Sequence, residues 1–167
     1  MTATELVRTQ VLRALEEAGV PAMAAYSADK AAQPVGAVVT VDIRRLESGE
    51  AGFGAYLGER YDEERGTWQE EYGYTAQLTV GLSAYASRAA GAATCAAALE
   101  KAYDALMTRS DDGFQSKSME WGEVRWDKDS GLFLQQGTLR CGVYFIAAVE
   151  EEAFLLLDFK LKGAVKE

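Results

Sequence analysis

Between Met119 and Val149 the sequence MEWGEVRWDKDSGLFLQQGTLRCGVYFIAAV falls into two strand-like runs around the polar stretch Asp127-Lys128-Asp129-Ser130-Gly131. In the second run Leu139, Cys141, Val143, Phe145, Ala147 and Val149 occupy alternate positions. A period of two places them on one face of a sheet. The residues between the runs tolerate tight or left-handed backbone, so the stretch predicts a long antiparallel hairpin at the centre of a half-buried sheet. Met119 and Trp121 share one parity while Val124 and Trp126 share the other, which a bulge near Gly122 would reconcile. Tyr144 and Ile146 turn to the opposite face. An apolar sheet back of that kind predicts a cover, either the C-terminal segment or another subunit.

Two further alternating runs predict strands. Val35, Ala37, Val39, Val41 and Ile43 alternate with Gly36, Val38, Thr40 and Asp42, a strand with one buried and one mixed face. From Trp68 to Ala86, Tyr72, Tyr74, Ala76, Leu78, Val80, Leu82 and Ala84 share one parity. That run would reach about 60 Å if fully extended, so it is expected to overhang the sheet or carry a bulge. Phe154–Leu161 alternates again and predicts a terminal strand at a sheet edge, in this chain or a neighbour's. Ala22–Tyr26 predicts a short strand and Ser27–Pro34 a loop.

Helical spacing appears twice. Over Thr2–Gly19 an apolar stripe runs through Val7, Val11, Ala14, Leu15 and Ala18. Thr2 and Glu5 have capping-box spacing, Gly19 suits a left-handed cap, and Pro21 discourages continuation. Glu16 and Glu17 conflict with that reading, because they fall where the helix dipole disfavours negative charge. Ser87–Met107 is alanine-rich, with Ala92, Cys95, Leu99, Ala102, Tyr103 and Leu106 as its inward stripe. Thr108–Gly113 is a polar break. Glu47–Thr67, glycine-rich and then charged through ERYDEERG, predicts a long loop or an extended hairpin. The elements together predict an α+β fold: a mostly antiparallel twisted sheet, two helices on one face, and a long C-terminal hairpin in a single domain.

Composition narrows the chemistry. The chain has 167 residues, 49% hydrophobic and 26% charged, ordinary for a globular protein. No apolar run approaches the ~20 residues that span a bilayer, and Glu5 and Arg8 interrupt any signal-like start, so a cytosolic protein is expected. Cys95 and Cys141 sit on apolar faces and read as buried free thiols. Histidine is absent, which removes the commonest general base and transition-metal ligand. The net charge of −9 opposes binding to phosphate backbones.

Candidate chemical motifs are weak. Asp127-x-Asp129-x-Gly131 resembles the start of a calcium loop but lacks its remaining oxygen ligands, so a hairpin turn is favoured. The acidic pairs Glu63-Glu64 and Glu70-Glu71 are not placed around a common cleft, since adjacent strand residues point to opposite faces. No phosphate-binding glycine motif is present. No catalytic residue, cofactor or metal site is predicted, and the chain is not expected to be an enzyme.

The order helix, strand, long strand, alanine-rich helix, long hairpin resembles the tail terminator, or tail-completion, proteins of long-tailed bacteriophages. The similarity is sharpest in LVRTQVLRALEEAG, in TWQEEYGYTAQLTVGLSAYA followed by LEKAYDALM, and in WGEVRWDKDSGLFLQQGTLRCGVYF. These cover about half to two-thirds of the chain, as one domain of that size would allow. Glu47–Thr67 and Glu150–Glu167 have no clear counterpart and leave other positions in the tail open. The resemblance implies a non-enzymatic ring of copies of this chain, typically a hexamer, that caps the tail tube and docks to the head connector. It implies assembly in the host cytoplasm, residence in the virion tail, and DNA only as the passing genome, which lumen carboxylates would repel. Interface residues would then carry function: Tyr56, Arg60, Tyr61, Arg65 and Trp68 toward a neighbouring subunit or the tube, with Tyr144, Ile146, Phe154 and Leu156 at a subunit boundary. Strand addition at that boundary would use unpaired edge amides and carbonyls. The alternatives are another tail component, such as a tube or baseplate adaptor, or a small protein-binding adaptor with no phage role.

Overall fold

Helix α1 spans Ala3–Glu17, and local chemistry sets both of its ends. The computed structural model describes residues 2–25, 36–50, 56–109, 114–149 and 159–161. At the N-terminus the Glu5 amide donates to Thr2 Oγ1 (3.2 Å) and the Thr2 amide donates to Glu5 Oε2 (2.7 Å), the expected capping box. Such a box is worth about 1 kcal/mol. At the C-terminus Gly19, at φ 74°, donates to Glu16 O and Val20 donates to Leu15 O, both at 2.9 Å. This pair of bonds satisfies carbonyls that the helix would otherwise leave open. The acidic end is also resolved. Glu17 accepts from Arg13 (3.0 Å) and from Arg109 (2.8 Å), and these bonds hold its carboxyl below the usual range.

The described residues form eight strands, β1 (Ala22–Met23), β2 (Ala37–Glu50), β3 (Tyr56–Asp62), β4 (Thr67–Ala86), β5 (Phe114–Trp121), β6 (Arg125–Asp127), β7 (Leu132–Val149) and β8 (Phe159–Leu161). Helix α2 is Ala93–Met107. The strand order is β1-β2-β4-β7-β5, with β3 on β4 and both β6 and β8 on β7. β1 runs parallel to β2, whereas β3–β4, β6–β7 and β7–β8 are antiparallel. This is the expected α+β architecture. The chain forms two compact units, one of Met1–Arg45, Thr79–Arg109 and Ser116–Cys141, the other of Leu46–Leu78, Ser110–Gln115 and Gly142–Glu167.

The first unit holds both helices, which touch each other. Its core comes from Val7, Val11 and Leu15 of α1, Val39 and Val41 of β2, Val80, Leu82 and Ala84 of β4, and Leu139 and Cys141 of β7. α2 adds Cys95, Ala98, Leu99, Ala102 and Leu106. The small residues allow close approach: Cys95 Sγ lies 3.5 Å from the Ala84 carbonyl oxygen. Val38 to Val41 are buried consecutively, so both faces of β2 are covered there, where one buried and one mixed face were expected.

Two further expectations change in this unit, and the irregularity expected near Gly122 is present. α2 starts at Ala93 rather than Ser87, because Ser87 accepts from Ala90 N and Gly91 N and the chain turns at Gly91 with φ 89°. Tyr103 leaves the buried stripe; it is exposed, its ring edge-on to Trp121 at 6.0 Å. The expected irregularity near Gly122 is a break between β5 and β6. Gly122 N donates to Gln136 O, whereas the register Arg125↔Leu134 would carry it opposite Gly137. That one-residue slip reverses the parity of Val124 and Trp126.

Two glycines of this unit test the packing. A Cβ on Gly137 of β7 would sit 3.1 Å from Leu82 O and 3.3 Å from Glu120 O, both backbone atoms. A Cβ on Gly81 of β4 would find its three nearest atoms in the flexible Arg44 side chain, which reaches across it to Thr138 Oγ1 at 3.2 Å. Gly137→Ala should therefore cost about 1–3 kcal/mol through overpacking. Gly81→Ala should stay within about 0.5 kcal/mol, because the lost hydrogen bond is offset by the reduced freedom of the unfolded chain. Urea midpoints of the two variants check this; equal shifts would refute it.

Candidate interaction surface

The residues Glu47–Thr67 that interrupt the hydrophobic pattern form, where described, the end of β2, strand β3 and a tight turn into β4. The hairpin alternative therefore holds for 56–67. Asp62 organises the turn: its Oδ1 accepts from Glu64 N (3.0 Å) and Arg65 N (3.3 Å), and its carbonyl accepts from Gly66 N (2.7 Å). Gly66, at φ 64°, supplies the left-handed residue that closes it.

The register pairs Tyr61 with Trp68, Arg60 with Gln69, Glu59 with Glu70 and Gly58 with Glu71. It then slips, so that Tyr56 pairs with Tyr72. Alternation alone would put Tyr56 on the same face as Arg60. The extra residue at the slip, with Gly58 at φ 134°, carries Tyr56 to the face of Tyr61 and Trp68.

The two faces differ in chemistry. On one, Arg60 Nε lies 3.6 Å from Glu71 Oε1, and Gln69 Nε2 donates to Asp62 Oδ2 at 3.3 Å. On the other are three rungs, Tyr56/Tyr72, Glu59/Glu70 and Tyr61/Trp68. The outer rungs are edge-to-face contacts, with ring centroids 5.6 Å and 5.4 Å apart, the geometry that aromatic quadrupoles favour. Tyr56, Tyr61 and Trp68 are exposed, Trp68 by 60%. Tyr72 Oη donates to Glu70 Oε2 at 2.7 Å, and that bond raises the Tyr72 phenol above its ordinary range. Partial desolvation, then Glu59 and Glu70, raise Tyr56 likewise.

No protein-family model matches the chain, and no curated protein matches it.

Of the residues expected at an interface, Tyr56, Tyr61 and Trp68 share this face. Arg60 lies on the reverse face, and Arg65 lies in the turn, 3.9 Å from Asp62. Tyr144 of β7 is exposed. Ile146 belongs to β7, but its side chain lies outside the described residues, as do Phe154 and Leu156. The terminal strand expected over Phe154–Leu161 is present as Phe159–Leu161, paired with Phe145–Ala147 of the same chain. Sequence reasoning missed Glu59, Glu70 and Tyr72 as members of the face. The available signal was the alternation of Trp68, Glu70, Tyr72 and Tyr74 in β4.

Elsewhere, Asp127 accepts from Ser130 N and Ser130 Oγ, and Gly131, at φ 67°, donates to Asp127 O. Its carboxyl, held low chiefly by the Ser130 hydroxyl, serves a hairpin turn as expected. Among the described residues no helix is long and apolar enough to cross a membrane.

Proposed function

We propose that the chain is a structural subunit of a long-tailed phage or prophage tail, a tail terminator or head–tail joining protein. In this reading copies of the chain close into a ring, a hexamer in the proteins it resembles. The ring caps the tail tube and docks to the head connector, with DNA passing through it unbound. The order α1, β2, β4, α2 and the β5–β7 hairpin is the order on which the resemblance rests, and it supports the reading. The observation that carries most weight is the exposed aromatic face of the β3–β4 hairpin. Several large aromatic side chains held open on one short hairpin are the usual material of a protein contact, because they gain most from being covered. A molecule acting through such contacts needs no convergent acid–base pair.

Light scattering tests the proposal. The chain should run at a multiple of its 18.1 kDa protomer mass, and electron micrographs should contain rings. Deleting Gly58–Gly66 should abolish assembly while the circular dichroism of the remaining fold persists. A species that stays at 18.1 kDa at every concentration and forms no rings would favour a monomeric adaptor. Unchanged assembly after the deletion would remove the hairpin from the interface.

A further inference from the structure

The middle rung of the aromatic face is electrostatically anomalous. Glu59 and Glu70 stand directly opposite each other in an antiparallel pair, an arrangement in which like charges destabilise the ladder. Among the described residues neither carboxylate has a cationic partner; Glu70 accepts only the Tyr72 hydroxyl. The nearest arginine in register, Arg60, is held on the reverse face by Glu71. The molecule treats its other exposed tryptophan differently. Trp126, edge-on to Phe133 at 5.0 Å, has the Arg88 guanidinium 5.8 Å above its ring. Trp68 has an aromatic neighbour and two carboxylates one rung away, but among the described residues no such cation.

We infer that the face formed by Tyr56, Glu59, Tyr61, Trp68, Glu70 and Tyr72 receives an arginine side chain carried by a basic segment of a partner protein. A guanidinium stacks flat on aromatic rings and hydrogen-bonds carboxylates in a fork. Seated on the middle rung it would meet carboxylates beneath it and rings on both sides. Charge selects the class of partner. The chain carries 26 acidic and 17 basic residues, so a basic segment is drawn to it at long range, and the same carboxylates disfavour nucleic acid. The inference goes beyond the ring reading and holds for a monomeric adaptor equally.

Titration calorimetry at low salt with a capped arginine–threonine repeat peptide is the test. The wild-type chain should bind it, and the same peptide with citrulline in place of arginine should bind at least about tenfold more weakly. Glu70→Gln and Trp68→Ala should each weaken binding by about tenfold, whereas Glu63→Gln, in the exposed turn, should leave it unchanged. Glu59→Gln should weaken binding and raise the melting temperature, because it relieves the opposed charges. A merely structural role for these carboxylates would not combine those two effects. Failure of the folded wild-type chain to bind the arginine peptide would overturn the inference. So would equal affinity for the citrulline peptide, unchanged binding in Glu59→Gln and Glu70→Gln, or preference for oligothymidylate. Light scattering reads the ring separately, so either conclusion can fall without the other.

Discussion

Replacing Leu99 by alanine should lower the unfolding free energy by roughly 3–5 kcal/mol, the upper part of the range for core leucines. Leu99 is fully buried near the middle of α2. Its buried neighbours on the helix at i−4, i−1 and i+3 are Cys95, Ala98 and Ala102. Short side chains of that kind cannot swing into the space a leucine leaves. Cys95 is further fixed by contacts of its sulfur with the Ala84 and Phe133 carbonyl oxygens, at 3.5 and 3.7 Å. The cavity should therefore persist, and a persistent cavity adds its own cost to the lost transfer energy. Against a total stability of about 5–15 kcal/mol, that loss would bring the fold close to its threshold. Tyr103→Ala, one turn further on, removes an exposed ring with one aromatic contact and should cost about 1 kcal/mol. Urea unfolding of the two variants checks the contrast. A Leu99→Ala loss no greater than that of Tyr103→Ala would mean that α2 is not packed as described.

The parities that define the first unit were legible in the chain. Ala76 to Ala86 in β4 and Leu139 to Val143 in β7 bury the alternate residues that a period of two predicts. The turn chemistry is legible too, in one of the two turns that use it. Asp127-Lys128-Asp129-Ser130-Gly131 reads as a hairpin turn, while Asp62-Glu63-Glu64-Arg65-Gly66 reads only as a charged loop or a hairpin of unspecified register. The two use the same device. An aspartate at the first position caps amides with its side chain, and a glycine four residues later, at φ 64° or 67°, donates to the aspartate carbonyl. Charged intervening residues concealed the likeness, although their side chains play little part in closing the turn.

What remained hidden depended on register and long-range contact. Which face Tyr56 joins is decided by the slip beside Gly58, and a glycine inside a strand pattern marks such a slip without giving its direction. The acidic end of α1 looked like a conflict because its partner Arg109 lies 92 residues away. The start of α2 lies later than its pattern predicts because Ser87–Ala92 carries helix-compatible alanines, while one hydroxyl and one left-handed glycine divert the backbone. In each case a single long-range bond or backbone torsion outweighed the local periodicity.

Alkaline pH should destabilise the wild-type chain more steeply than a Cys141→Ala variant. Cys141 on β7 is buried, and burial pushes its thiol from an ordinary value of 9.0 up to about 12, with Lys117 opposing the shift in part. The native state therefore keeps the neutral thiol, while the unfolded chain ionises from about pH 9. Because the folded value is raised, this contribution is fully present below pH 9 and lost as pH climbs toward 12. Each pH unit in that window removes about 1.4 kcal/mol, roughly 4 kcal/mol across the whole window. Cys95, raised by burial in the same direction, adds to the loss. At neutral pH Cys141→Ala should be the less stable protein, because it vacates a packed site. Its stability should then fall more slowly above pH 9, and the difference between the two curves should narrow and reverse. Tyrosine and lysine titrations are common to both chains and cancel in the comparison. Parallel stability curves from pH 8 to 11, measured by urea unfolding under reducing conditions, would mean that the Cys141 thiol reaches solvent in the native state.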